Sequence, residues 1–596
     1  MLSSAFSIRM CALLLASMML TGCNGTNAPL PDETTAAPTE TTAPSDTTGS
    51  ADATRASETA APAEPKPYAP VTIEMPEDPN LLYNGIRLPE VWPPENISPK
   101  TFSEIDVPYL KTAEEGGTHP GTVDIDVGRQ LFVDNFLIEK TDLTAAQHKA
   151  VEADCNPVLS YSGSTYRTKH GGFFYNAEKQ LFEHFWNSGN KLMYISSKDG
   201  ITWDPDSAYP VLTYPQASGA YASVVLNETP DENNPRYVCV VRYSNGSWEK
   251  ILGPDKDHEH YNTIIYYSDN GQTWRKLTDL GPTSGDATSF IYNPFRQTYI
   301  FSLRRSYSNI NRARDYIEVT DILNYNDFTS LEPVFWLRAD SKDLRDPTQP
   351  GFKPEVYSIS AVAYESIMLG AFQMYLGPSN SDSNLTAIPK ITNINLGFSR
   401  DGFYYSRPFR EPIIESSKEA DTWDRGYLHH VNNVCVIVGD ELRFYYSGYR
   451  GDQTLAGDKN STRGCMSNCS LGYATMRRDG FVSMDGSGEL LTRLLRFDEV
   501  NDRLFINAKA KSLRAEILDA DGNVIPGFSL NECVPFSGDS TCAELTFENG
   551  ANLGELRGTE FRIRFIAEEA EFYAFWVSDT EDGESGGFLA GGYLAQ

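Results

Sequence analysis

Ser197-Lys198-Asp199-Gly200-Ile201-Thr202-Trp203 decides the fold. A β-run enters it, an Asp-Gly pair turns the chain, and an aromatic residue restarts the next strand. Ser268-Asp269-Asn270-Gly271-Gln272-Thr273-Trp274 repeats the pattern, and Ser399-Arg400-Asp401-Gly402-Phe403-Tyr404-Tyr405 repeats it again. Arg478-Asp479-Gly480-Phe481 is a weaker fourth copy. Asp-Gly and Asn-Gly suit a tight hairpin turn in which both central residues take positive φ. Glycines 200, 271, 402 and 480 are spaced by 71, 131 and 78 residues. The middle gap is double, so one copy has lost its signature near 322–328. Units of roughly 65 to 75 residues have the period of a β-propeller with decorated blades.

Working outward, each unit carries an earlier hairpin: an apolar strand, a polar turn and an aromatic strand. Gly172 to Phe182, Ser289 to Ile300 and Val434 to Phe444 are examples. The expected fold is all-β, a five-bladed β-propeller over 123–486 followed by a C-terminal β-sandwich over 487–596. Blades fall at 158–208, 212–278, 282–335, 352–412 and 420–485. The segment 123–139 is expected to help close the ring. Past Gly486 the alternating runs around Leu504, Ser512, Thr559 and Phe572 mark the sandwich strands.

At the other end, Arg9 precedes a short apolar run that stops at Leu20-Thr21-Gly22-Cys23. Residues 1–22 therefore have the form of a lipoprotein signal, with Cys23 as the acylated residue after cleavage. Residues 23–70 are almost wholly Thr, Ala, Pro, Ser, Asp and Glu, which bury too little apolar surface to order themselves. A disordered linker is expected there, then an N-terminal extension over 71–122. The body would sit at the extracellular face of the membrane, held by the lipid on Cys23.

The net charge of −31 excludes a nucleic-acid partner, because no basic stripe could neutralise phosphates. It favours neutral or weakly charged ligands. The chain holds 32 Tyr and 8 Trp, enough to furnish sugar-stacking surfaces as well as sheet cores. Seven cysteines follow Cys23 at spacings that fit no metal cluster, and neither a metal nor a cofactor is expected. Cys465/Cys469 and Cys533/Cys542 are each close enough to form a small disulfide or to stay as thiols.

Four stretches carry a resemblance. They are Arg129-Gln-Leu-Phe-Val-Asp-Asn-Phe-Leu-Ile-Glu139, Gly285-Asp-Ala-Thr-Ser-Phe-Ile-Tyr-Asn-Pro-Phe295, Ala363-Tyr-Glu-Ser-Ile-Met-Leu-Gly370 and Ser399-Arg-Asp-Gly402. Together they resemble a group of bacterial proteins similar to glycoside hydrolase family 32, whose propeller also resembles family 43. The resemblance implies a propeller with a C-terminal β-sandwich and a carbohydrate substrate. One departure matters. Family 32 carries its nucleophile in an Asn-Asp-Pro-Asn motif, and the matching place here is Arg167-Thr168-Lys169-His170-Gly171, without a carboxylate. Arg345-Asp346-Pro347 resembles that family's Arg-Asp-Pro signature but lies between the third and fourth units.

Glycoside hydrolysis needs two carboxyl groups flanking the scissile bond. A propeller gathers the entrances of its inner strands at one end of its axis, so acidic residues just ahead of those strands are the catalytic candidates. Asp286 is expected as base or nucleophile, Glu355 as acid and Asp424 as modulator. Arg167, His170, Tyr357, Trp423, Tyr427 and His430 are candidate substrate-binding residues, because sugars offer hydroxyls to polar donors and C–H faces to aromatic rings. His429 stands near a strand entrance too. Asp134 interrupts an apolar strand, where pairing with a structural arginine is the ordinary outcome. Glu365 is expected at a turn away from the axis. The expected function is a cell-surface glycoside hydrolase; the alternative is a non-catalytic glycan-binding lipoprotein on the same scaffold. Sugar transfer or phosphorolysis is a third reading.

Overall fold

A computed structural model describes residues 71–102, 105–161, 167–215, 218–244 and 262–595; of 167–170, 218–220, 243, 244 and 262 the backbone alone is described. Cys23 lies outside the described residues. Strands dominate. Among the described residues the only α-helix is Asn380–Thr386, and no helix is long and apolar enough to cross a membrane.

Four antiparallel four-stranded sheets succeed one another in a propeller-like arrangement. The first holds Arg167–Asn176, Leu181–Ser188, Lys191–Ser197 and Tyr209–Thr213; the second holds Ser218–Leu226, Tyr237–Ser244, Asn262–Ser268 and Arg275–Thr278. The third is Ser289–Asn293, Thr298–Tyr307, Ile310–Val319 and Val334–Arg338. In the fourth, Glu355–Glu365, Ile367–Gly377 and Ile391–Ser399 are joined by Phe588–Leu589 from the far end of the chain. The first strand of each sheet packs on the first strand of the next. Strands caught between sheets lose the alternation of a half-exposed strand. Glu355–Glu365 and Ile367–Gly377 are buried along almost their whole length and read as near-continuous apolar runs. Each large side chain buried there, such as Tyr364 or Phe372, contributes about 1.5–3 kcal/mol.

In its three full copies the repeated turn follows the third strand of its sheet, but it is not the expected hairpin turn. Only the glycines take positive φ: Gly200 at 71°, Gly271 at 72° and Gly402 at 84°. Side chains do the rest. Asp199 Oδ1 accepts from the amides of Ile201 (2.8 Å) and Thr202 (2.7 Å), and Ser197 Oγ accepts from Gly200 N (3.0 Å). Trp203 Nε1 then donates to Gly200 O at 3.0 Å. Asn270 and Asp401 repeat the Asp199 role. Burial raises the Asp199 carboxyl, but the Thr202 and Ile201 amides outweigh it and bring it down to about 2. At Asp401 burial wins and the same group rises to about 6. In the third sheet the stretch from Asp321, which includes the 3-10 turn Ile322–Asn324, occupies the position of the lost copy.

A seven-stranded sheet follows, built on Glu441–Tyr449 and Cys469–Arg477, with Gly426–His430 and Val436–Val438 both pairing on Glu441–Tyr449. Its far edge comes from early in the chain: Val151–Glu152 and Leu159–Ser160 pair with Cys469–Arg477. The segment 123–139 does not make that closure. Thr122–Asp124, Gln130–Leu131 and Ile138–Thr141 instead join a nine-stranded sheet with Thr144–Gln147, Val482–Thr492, Leu494–Arg496, Arg503–Asp519, Phe536–Leu545 and Phe561–Ser578. The physical reason is register. Leu131, Phe132 and Phe136 are wholly buried, and in this pairing Phe132 stacks near Phe572 and Phe575.

Where this sheet meets the fourth, four charges are buried together. Arg129 Nη1 lies 2.7 Å from Asp479 Oδ2, and Arg478 Nη2 lies 3.0 Å from Glu365 Oε1. Ser585 Oγ donates to Glu365 Oε2 at 2.6 Å, while Tyr364 and Asn507 donate to Asp479. The weak fourth copy of the turn is therefore an interior ion pair. Asp134 pairs with Arg400 at 3.1 Å. No disulfide joins Cys465 to Cys469 or Cys533 to Cys542; Cys465 donates to Asn384 Oδ1, and Cys533 accepts from Ala515 N.

Candidate active site

The inner strands all begin at one end of the axis, and the residues at their entrances form one cluster. Asp286 lies three residues ahead of Ser289–Asn293, and Glu355 opens Glu355–Glu365. Asp286 Oδ1 is 3.9 Å from Arg242 Nη2, and its side chain is 28% exposed. Glu355 Oε2 is 3.0 Å from Arg312 Nε, and Asn311 Nδ2 donates to Glu355 Oε1 at 2.9 Å. Tyr357 and Tyr427 share a 2.6 Å hydroxyl–hydroxyl hydrogen bond. The Arg312 guanidinium lies 4.2 Å from the Tyr357 ring centre, and Lys390 Nζ lies 4.8 Å from that of Tyr427. Arg242 stacks over Tyr221 at 4.5 Å.

Two more cations, Arg304 and Arg314, complete the cluster. The hairpin Thr298–Tyr307/Ile310–Val319 sets Arg304 directly opposite Arg314, a cross-strand pair of like charges that costs about 0.2–1 kcal/mol. Arg314 is fully buried and donates to Ser302 Oγ and to the carbonyls of Ala287, Tyr357 and Ser302. Burial, then Arg304 and Arg312, brings it down to about 9. Arg304 is lowered by burial and then by Arg312. Burial, then Arg312, brings the Lys390 ammonium down to about 8. Burial also works against the charge of Arg312, but Tyr357, Asp286 and Glu355 outweigh it and raise it.

Beneath the cluster a polar plug ties the inner strands together. His430 Nε2 meets Ser358 Oγ at 3.1 Å, and Ser358 donates to Gln373. Asn432 Nδ2 donates to Ser223 Oγ and to the carbonyls of Val224 and Phe290. Burial takes His430 down to about 4, so it is neutral at physiological pH. His429 packs at 4.5 Å on the Tyr427 ring.

Of the sequence candidates, the structure brings together Asp286, Glu355, Tyr357 and Tyr427, with His430 one layer below. It does not bring Asp424 or Trp423 to them. Trp423 Nε1 donates to Glu152 Oε1 at 2.8 Å and packs on Tyr446. Asp424 is raised to about 6 by burial and then by Glu152, with Ser417 and Tyr446 as its polar neighbours. The cause is the path of the strand: Gly426–His430 enters with Tyr427 turned to the axis through a positive φ of 53°. Arg167 and His170 belong to Arg167–Asn176, and their side chains lie outside the described residues. Sequence reasoning missed Arg242, Arg304, Arg312, Arg314 and Lys390. The signal was present: Leu303-Arg-Arg-Ser-Tyr-Ser-Asn-Ile-Asn-Arg-Ala-Arg314 is a basic hairpin in an acidic chain.

No family model matches the chain, and no curated protein matches it. Among solved structures it is similar to an N-acetylgalactosamine deacetylase from F. plautii in complex with blood group B trisaccharide, at 13% identity and a TM-score of 0.36 over 56% of this chain and 96% of that one. It is similar to a glycoside hydrolase family 43 arabinoxylan arabinofuranohydrolase from Bacillus subtilis at 10% identity and a TM-score of 0.30, over 73% of this chain and 99% of that one. A fructofuranosidase from Schwanniomyces occidentalis gives 9% identity and a TM-score of 0.31, over 73% and 99%.

Proposed function

We propose that this protein is a glycoside hydrolase whose active site is the axial cluster, with Asp286 as base or nucleophile and Glu355 as acid. One observation carries the reading: two carboxylates from successive inner-strand entrances share the field of Arg312 beside a pair of tyrosines. In the reaction the bond from the anomeric carbon to the glycosidic oxygen breaks. The Glu355 proton goes to the leaving oxygen, and Asp286 takes either the carbon or the proton of the attacking water. Tyr357 and Tyr427 offer hydroxyls and ring faces to the sugar.

The scaffold is read as five-bladed, with the seven-stranded sheet as the fifth blade. In support, Gly426–His430 packs on Arg167–Asn176 and bonds to Glu355–Glu365 through Tyr427–Tyr357 and His430–Ser358, the two inner strands a fifth would stand between. The nine-stranded sheet, which contains the long strands Arg503–Asp519 and Phe561–Ser578, takes the place of the C-terminal sandwich. The signal-like segment ending at Cys23 supports anchoring by lipid at the cell surface.

The Arg312–Glu355 ion pair favours a second reading, a glycan-binding lipoprotein without turnover. The test is release of reducing sugar from a broad glycan panel by the full chain and by its Asp286→Asn/Glu355→Gln double variant. Release by the wild type alone upholds the hydrolase and its residues. Release by both discards the residues, and binding without release moves the protein to the second reading.

A further inference from the structure

We propose that the axial cluster recognises a sugar carrying an oxyanion, a carboxylate or sulfate group, and that Arg312 and Arg304 are the residues that hold it. The inference rests on the glycan reading above and names its substrate class. Among the described residues, Arg242, Arg304, Arg312, Arg314 and Lys390 gather around two carboxylates, Asp286 and Glu355. The chain as a whole carries −31, so this local excess of cations runs against its composition. It also reverses the expectation of a neutral ligand drawn from that net charge.

Burying unbalanced cations is costly unless something pairs with them. Arg312 is only 5% exposed, Lys390 only 8%, and Arg314 not at all. Arg314 spends its donors on protein oxygens, so its role is structural. Arg312 differs. Its Nη1 is buried without a hydrogen-bond partner among the described residues, and so is Arg304 Nε. A guanidinium with open donors beside tyrosine rings suits a planar or tetrahedral oxyanion on a pyranose: the fork binds the anion and the rings cover the sugar.

The anion also touches the chemistry. Glu355 is held by Arg312 at 3.0 Å. A substrate oxyanion on the open Arg312 Nη1 draws on the guanidinium charge that pairs with Glu355 and brings a second negative charge nearby. Both effects favour the protonated Glu355 that the acid role needs. A neutral glycan leaves the ion pair intact.

The test measures binding and reducing-sugar release by the full chain on three kinds of oligosaccharide. They are oligogalacturonates, carrageenan oligosaccharides, whose charge is sulfate, and the carboxyl-reduced and desulfated forms of these respectively. The expected result is at least tenfold tighter binding of one acidic form than of its neutralised counterpart. That preference should fall to below threefold in Arg312→Gln and Arg304→Gln, and persist in Arg477→Gln, which alters a cation bound to Asp539 on another face. The uronate arm and the sulfate arm tell which oxyanion is meant. Arg312→Lys, which keeps the charge, guards against a folding defect and should retain part of the preference. Equal or better binding of neutral forms overturns the inference, as does a preference that survives both arginine variants. Hydrolysis of neutral glycans alone removes this inference and leaves the hydrolase standing. Acidic preference without any hydrolysis removes the hydrolase and leaves this inference standing.

Discussion

Two clusters of buried charge lie in this molecule, and they are built in opposite ways. Between the fourth sheet and the nine-stranded sheet, Arg129 and Arg478 face Glu365 and Asp479, and every carboxylate oxygen has a donor. At the axial entrance five cations face two carboxylates among the described residues, and Arg312 Nη1 has no hydrogen-bond partner there. The first is balanced, two cations against two carboxylates that the fold itself supplies. The second holds more cations than carboxylates among the described residues. Charge balance separates structural ion pairs from a site more cleanly than burial does, since Arg129 and Arg312 are both nearly inaccessible.

The largest expected effect breaks the functional half of the comparison. Asp286→Asn/Glu355→Gln should cut sugar release by more than about 10³-fold. Its unfolding midpoint should stay near that of the wild type. A comparable loss of stability would make the pair structural instead.

Next in size, Arg129→Met leaves Glu365 and Asp479 short of a partner in the interior. It should cost about 3–5 kcal/mol in denaturant unfolding. An unchanged midpoint would mean that the four-charge network does not hold the sheets together.

Lys390 sharpens the contrast through pH. Its folded ammonium titrates near 8 against an ordinary 10.5, so between those values the unfolded chain holds more protons and stability rises with pH. The penalty is present in full below about pH 8. Lys390→Met should therefore raise the melting temperature at pH 7, with the gain disappearing by pH 10.5. A gain of equal size at both ends would show that charge is not its cause.

The smallest effect has the most telling sign. Arg304→Gln removes one of two like charges facing each other and should leave stability unchanged or raise it by up to about 1 kcal/mol. Loss of a cation from the axial cluster would then act opposite to loss of Arg129. A clear destabilisation would erase the distinction between the two clusters.

Much of the scaffold was legible because turns and inner hairpins are local. Ser197-Lys-Asp-Gly200 writes its own hydrogen bonds, and the third-strand position recurs wherever the motif does. The route of 123–139 was not legible, since Leu131 and Phe132 are apolar enough for either sheet and only pairing with Phe561–Ser578 decides. Asp286 and Glu355 were found from the rule that entrances of inner strands converge. Asp424 obeyed the same rule and went elsewhere, because the turn of Tyr427 is a backbone event three residues later. The arginines were missed for a different reason. They stand on second and third strands, and the cross-strand register that aims them at the axis leaves no trace in spacing.

The two ends of the ring have a consequence for how the chain is made. Val151–Glu152 and Leu159–Ser160 wait for Cys469–Arg477, about 300 residues downstream, and Val436–Val438 waits for Tyr593–Leu594 at the far end. A chain emerging from its N-terminus therefore carries open sheet edges until residues 588–594 arrive, and a chain stalled or clipped before them keeps them. These two short strands act as a check: only a chain that reaches them hides its own edges.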